Sequence, residues 1–206
     1  MDIDELFTLP LTAPEPSPLP APADVTYWQL REQRTYWIDY EIDEKYLLME
    51  LAKEIVRINN DERDNKTPAP ITLYIHSFGG DLRQAIFLCD LIRSSHVPVL
   101  TVATGVAMSA GFLIFISGKR RYAFKHTKVL VHQGSGAIAG NYDEMEAAQK
   151  LYRKEINSMR EYILANTNIF EKTFEKHKKE DWYLFGEELI TYGVADKIVE
   201  SFNDIQ

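Results

Sequence analysis

From Thr35 onward the hydrophobic period of the chain switches repeatedly between two and about 3.6 residues, and that alternation limits the fold more than any other feature. Thr35–Ile42 reads as a strand. Leu47, Leu48, Leu51, Ile55 and Ile58 then recur at helical spacing. A polar stretch, Asn59–Pro70, reads as a loop before a second strand, Ile71–Ile75. Leu82, Ala85, Ile86, Cys89 and Ile92 define an amphipathic helix, and Val97–Val102 a third strand. Gly105–Gly111 is expected to be a turn, leading into an apolar helix that runs to Ile116. Lys128–Val131 is a short strand, and Met145, Ala148, Tyr152, Ile156, Met159 and Ile163 mark one long helix. Strands this apolar need cover on both faces, which predicts an α/β fold built from strand–helix–strand units.

Residues 1–24 do not follow the pattern. They hold six of the nine prolines and five acids, with no Lys or Arg. Proline fixes φ and removes ladder donors, so an extended, mobile tail is expected there, ahead of a domain spanning 25–206. The whole chain has 206 residues and a net charge of −8, and taking away the five tail acids leaves −3. The tail reads either as a solvated leader or as a docking arm whose apolar contacts are Ile3, Leu6, Phe7 and Leu9. An acidic chain without a basic stripe argues against nucleic-acid binding. The longest apolar run, Val106–Ile116, is 11 residues, too short to cross a bilayer. No basic region precedes an apolar stretch at the N-terminus, so a reducing, cytoplasmic setting is the expectation. A single cysteine, Cys89, excludes an intrachain disulfide and a Cys-rich zinc site, and its apolar neighbours suit a core position.

Three places have residues suited to chemistry. Gly79-Gly80 lies between a buried-type strand and a helix, where a glycine backbone can approach a ligand closely or simply make a tight turn. Ser109 stands before an apolar helix, flanked by small residues. It is either an N-cap or a nucleophile whose neighbouring free amides could hold an oxyanion. His132 ends a strand and enters a Gly-containing segment, as a structural histidine or as a base. A Ser–His pair needs a carboxylate to fix the imidazole. Asp181, beside the apolar run Trp182-Tyr183-Leu184 that could hold it partly buried, is the candidate, although in Lys178-Lys179-Glu180-Asp181 it also reads as a solvated acid.

Taken in order, four segments resemble the proteolytic subunit of the Clp protease (ClpP), over roughly residues 27–200. Tyr-Ile-His-Ser-Phe-Gly-Gly at 74–80 is similar to that family's Tyr-Ile-Asn-Ser-Pro-Gly-Gly. Gly-Val-Ala-Met-Ser-Ala-Gly at 105–111 is similar to its Gly-x-Ala-Ala-Ser-Met-Gly, and Val-Leu-Val-His-Gln at 129–133 to its Val-Met-Ile-His-Gln. The segment 181–196, from Asp-Trp-Tyr to Tyr-Gly-Val-Ala-Asp, resembles the family's C-terminal Asp-Arg-Phe motif. The spacings agree, with 29 residues from Gly80 to Ser109 and 49 from His132 to Asp181. Phe78 and Gly134 stand where the family has proline, and the Pro-rich tail stands where the family forms a loop at the pore entrance.

The resemblance implies a ClpP/crotonase-like fold of stacked βαβ units in a spiral, with a protruding helix–strand handle at about 134–165. It implies a serine endopeptidase with Ser109 as nucleophile, His132 as base and Asp181 as its orienting acid. The backbone N–H groups of Gly80 and Ala110 would form the oxyanion hole. No metal or cofactor is called for. The implied partners are polypeptide substrates, copies of the same chain in heptameric rings stacked as a tetradecamer, and an AAA+ unfoldase. That unfoldase would consume the ATP, since this chain has no phosphate-binding Gly-x-x-x-x-Gly-Lys-Ser/Thr loop. The long helix, with Met145, Tyr152, Ile156 and Met159 as its stripe, would join the rings. A non-catalytic scaffold subunit of a mixed ring and a phage-type maturation protease on the same fold are the alternatives.

Overall fold

The computed structural model describes residues 21–43 and 45–205. The expectations for residues 1–20, with Ile3, Leu6, Phe7 and Leu9, lie outside the described residues. The chain divides into two compact units, one ending at Gln33 and one starting at Arg34. In the first, helix α1 spans Pro22–Glu32. Residues 22–24 are therefore helical, not extended. Pro22 occupies the first helical position, where its missing N–H costs nothing and its fixed φ suits the helix. The Asp24 carboxylate accepts the Ala21 N–H at 3.2 Å, which closes the helix start. No residue of α1 is buried, and the Arg31 guanidinium lies 4.9 Å over the Tyr27 ring.

The second unit is built on one mostly parallel sheet. Strands β1 (Thr35–Ile38), β2 (Ile71–Ser77), β3 (Val99–Met108), β4 (Arg120–Phe124) and β7 (Lys197–Val199) lie in the order β1-β2-β3-β4-β7. Strand β5 (Lys128–Val131) pairs parallel with the far end of β3, and β6 (Trp182–Phe185) pairs antiparallel with β5. Helices α2 (Lys45–Asp61), α3 (Leu82–Ser94) and α4 (Ala110–Ile116) cover one face. Helices α5 (Tyr142–Asn166), α6 (Glu171–His177) and α7 (Glu187–Thr191) follow. Register sorts the side chains. Ile71 opposes Val99 and Ile75 opposes Ala103 on the main core face. On the other face Leu100, Val102, Tyr122 and Val199 form a smaller cluster. Every residue of α4 is buried, which is why its sequence is apolar all round.

Three expectations change here. The first strand stops at Ile38, and Ile42 returns only for a single bridge to Gly80. The expected turn at 105–111 is mostly strand. Val106, Ala107 and Met108 continue β3 because they pair with Lys128, Val129 and Leu130 of β5, so only Ser109 turns the chain. The helical stripe on α5 is divided. Met159 and Ile163 are in the core, Ile156 is half-buried against it and Tyr152 is half-buried at the cleft, whereas Tyr142, Met145 and Leu151 are exposed. Residues 134–139, ahead of α5, pair with no strand among the described residues and are exposed to solvent. No helix among the described residues is long and apolar enough to cross a membrane.

Candidate active site

Two ladders bring the predicted residues together. Met108 opposes Leu130 in the parallel β3–β5 pair, and the Ser109 N–H donates to the Leu130 carbonyl at 3.1 Å. Ser109 therefore sits beside the end of β5, from which His132 emerges. In the antiparallel β5–β6 pair Val131 opposes Trp182, so one further step along the ladder sets His132 against Asp181. The side chains complete this arrangement. Ser109 Oγ lies 2.7 Å from His132 Nε2, and Asp181 Oδ1 lies 3.3 Å from His132 Nδ1. With the proton on Nδ1, the imidazole donates to the carboxylate and accepts from the hydroxyl.

Ser109 has φ 52° and ψ −119°, a positive-φ conformation that a non-glycine residue adopts at a cost of about 1–3 kcal/mol. The turn lies between an interior strand and a buried helix, which hold it from both sides. Its hydroxyl makes no capping bond to α4 and is left for His132. The N-cap alternative therefore applies to the backbone position and not to the side chain. Asp181 is not partly buried as the neighbouring apolar run suggested, since its side chain is 60% exposed. Strand alternation explains this. Trp182 and Leu184 point inward, so Asp181, Tyr183 and Phe185 share the outer face.

The two glycines are required by close approach. A Cβ on Gly79 (φ 111°) would lie 2.7 Å from Ser109 Cβ, and one on Gly80 (φ 141°) would lie 2.4 Å from the Ile42 carbonyl oxygen. Ile42 holds this strip in place. Its N–H donates to the Gly79 carbonyl at 2.7 Å, and its carbonyl accepts the Asp81 N–H at 2.5 Å. These two bonds flank Gly80 and leave its N–H facing away from the bridge. Ala110 is the first residue of α4, so its N–H has no acceptor within that helix. Gly80, Ser109, Ala110 and His132 all line one cleft of about 510 Å³.

The sequence did not mark Asp81, Arg83 or Glu155, and it read Tyr152 and Met159 only as part of a helical stripe. Asp81 and Arg83 follow directly after Gly80, while Tyr152, Glu155 and Met159 reach in from α5. Arg83 Nε donates to Glu155 Oε1 at 2.7 Å across 72 residues of sequence, and this bond raises the guanidinium pKa above its usual value. The available signal was Glu155 lying within the helical stripe between Tyr152 and Met159. Cys89 is fully buried in the core, where burial pushes its thiol up to about 12 and keeps it out of the chemistry. Among the described residues no group of three or more His, Cys, Asp or Glu is placed to hold a metal ion.

A strand–turn–helix serine beside a histidine and a carboxylate, on a stacked α/β frame, defines a class of serine hydrolase-like sites. Comparison with known proteins narrows it. Residues 23–202 match the family model for Clp protease, and the chain belongs to that family. It is 28% identical over 184 residues to ATP-dependent Clp protease proteolytic subunit 2 of Thermobifida fusca, covering 87% of each chain. The protein of the same name from Treponema denticola is 32% identical over 162 residues, covering 76% of this chain and 79% of that one. The fold matches the structure of a ClpP1 mutant from Listeria monocytogenes with a TM-score of 0.76 at 23% identity, over 88% of this chain and 99% of that one. The α/β architecture read from the sequence is thus the ClpP architecture.

Proposed function

We propose that the chain is a serine endopeptidase that cleaves peptides and unfolded polypeptides by an acyl-enzyme mechanism. The observation that supports this most is the 2.7 Å contact between Ser109 Oγ and His132 Nε2, made by a serine on a strained turn with no capping duty. In this reading Ser109 Oγ attacks the scissile carbonyl carbon as His132 Nε2 takes its proton. Negative charge developing on the carbonyl oxygen is met by the Gly80 and Ala110 N–H groups. Collapse of the tetrahedral species breaks the C–N bond, and His132 gives its proton to the leaving amine. Water then attacks the acyl-serine by the same route in reverse. Asp181 holds the imidazole in orientation and offsets its positive charge.

The assembly belongs to the same proposal. The chain would form heptameric rings stacked as a tetradecamer in the cytoplasm, with polypeptides fed by a partner AAA+ ATPase. Family membership supports this, as do the exposed apolar residues Ile138, Tyr142, Met145 and Leu151, ahead of and along the first half of α5. Tyr152 and Ile156, expected in the ring contact, also line the chain's own cleft. Hydrolysis of short fluorogenic peptides tests the reading. Ser109→Ala is expected to lower kcat at least about 10⁴-fold while leaving the assembly intact. Undiminished turnover by the purified variant would remove Ser109 from the chemistry.

A further inference from the structure

The cleft has apolar depth and a charged rim. Leu82, Phe112, Leu113, Met159 and Ile163 form its apolar wall beside Ser109. At the rim, Arg83 near the start of α3 reaches across to Glu155 on α5. The two partners are unequally placed. The Glu155 side chain is 24% exposed and set among Tyr152, Ile156 and Met159, whereas Arg83 is 67% exposed. A carboxylate beside these apolar side chains would draw a cationic substrate side chain to itself, and the guanidinium already seated on it prevents that. Asp81 adds a second acid to the same lining, but its Oδ1 accepts the Gln84 N–H at 2.9 Å and caps α3. Asp81 keeps its charge, so Arg83 offsets one of the two carboxylates of the lining, and Glu155 is the one it contacts. Such a pair gives little net stability at a surface. Its effect lies in discriminating between partners, by leaving the wrong one facing an unmatched charge.

Building on the peptidase reading of Ser109, we propose that the Arg83–Glu155 ion pair sets the side-chain preference of the cleft. Intact, it masks Glu155 and favours apolar residues in the three positions before the scissile bond. Without Arg83, the exposed carboxylate selects basic residues there. Without Glu155, the released guanidinium selects acidic ones.

The test uses the full chain and peptides carrying Leu, Lys or Glu in each of those three positions. Turnover is measured in the wild type, Arg83→Met, Glu155→Gln and Arg83→Lys. Binding of fluorescent peptides is measured by anisotropy in the same set on a Ser109→Ala background. Arg83→Met is expected to raise the Lys-over-Leu ratio about two- to fivefold at one or more positions. Glu155→Gln is expected to raise Glu over Leu by a similar factor, and Arg83→Lys, which keeps the charge, to change neither. Both shifts shrink as salt rises, because part of the pair is exposed. Unchanged ratios at all three positions in both charge-removing variants overturn the proposal. Shifted binding ratios without turnover in any Ser109-containing form uphold the pair and overturn the peptidase reading. Turnover with unmoved ratios does the reverse, and absence of both binding and turnover overturns both.

Discussion

Ser109 reaches His132 because its backbone takes a conformation that most residues avoid, at a point where β3 can continue no further. Gly79 is its necessary neighbour, since a side chain there would collide with the serine itself. At the other end of the relay the geometry is looser. Asp181 is more than half exposed and 3.3 Å from the imidazole, so water competes for both groups. Replacing a buried triad aspartate by asparagine lowers kcat about 10⁴-fold. Asp181→Asn is expected to cost less, on the order of 10²-fold, because solvent supplies part of what the carboxylate does. Steady-state kinetics of the variant decides the point, and a loss as large as that of a buried aspartate would mean that assembly buries Asp181.

The elements explain why Ser109, His132 and Asp181 could be named from the sequence while their surroundings could not. Each sits at the end of a strand or beside an apolar run, so residue type and local context make it a candidate, and the order of the four family-like segments singles it out. What joins them is register, Met108 to Leu130 and Val131 to Trp182, and register is not written in any one segment. The strand content of 105–108 was hidden for the same reason, because it depends on a partner more than 20 residues away. Strand β7, three residues long, carries too little periodicity to read. The Arg83–Glu155 pair depends wholly on tertiary contact. Helix α5 shows a further division. Its start is held by a reciprocal cap, with the Asn141 side chain accepting from the Glu144 N–H at 3.0 Å and the Glu144 side chain accepting from the Asn141 N–H at 2.9 Å. Its second half is anchored in the core by Met159 and Ile163, which leaves Tyr142 and Met145 outward. If that outward face joins subunits, Tyr142→Glu combined with Met145→Glu should convert double rings to smaller species in sedimentation velocity, since charges buried without partners are costly. An unchanged profile would exclude this face as the contact.

At the scale of the whole molecule, proline and most of the net negative charge lie near the N-terminus, while the candidate site lies in the unit that begins at Arg34. Residues 1–20 hold five of the nine prolines and four acids, with no Lys or Arg. Deleting them is expected to leave short-peptide hydrolysis near the wild-type rate and to change the hydrolysis of casein, which has to be admitted as a chain. Equal effects on both substrates would count against a role in access. Whether a serine peptidase is enclosed by its own copies is decided by a native mass spectrum taken after treatment with a fluorophosphonate. A tetradecamer with one adduct per subunit is expected, mapped to Ser109 and absent from Ser109→Ala. A monomeric species without adduct, or an adduct on any other residue, would contradict it.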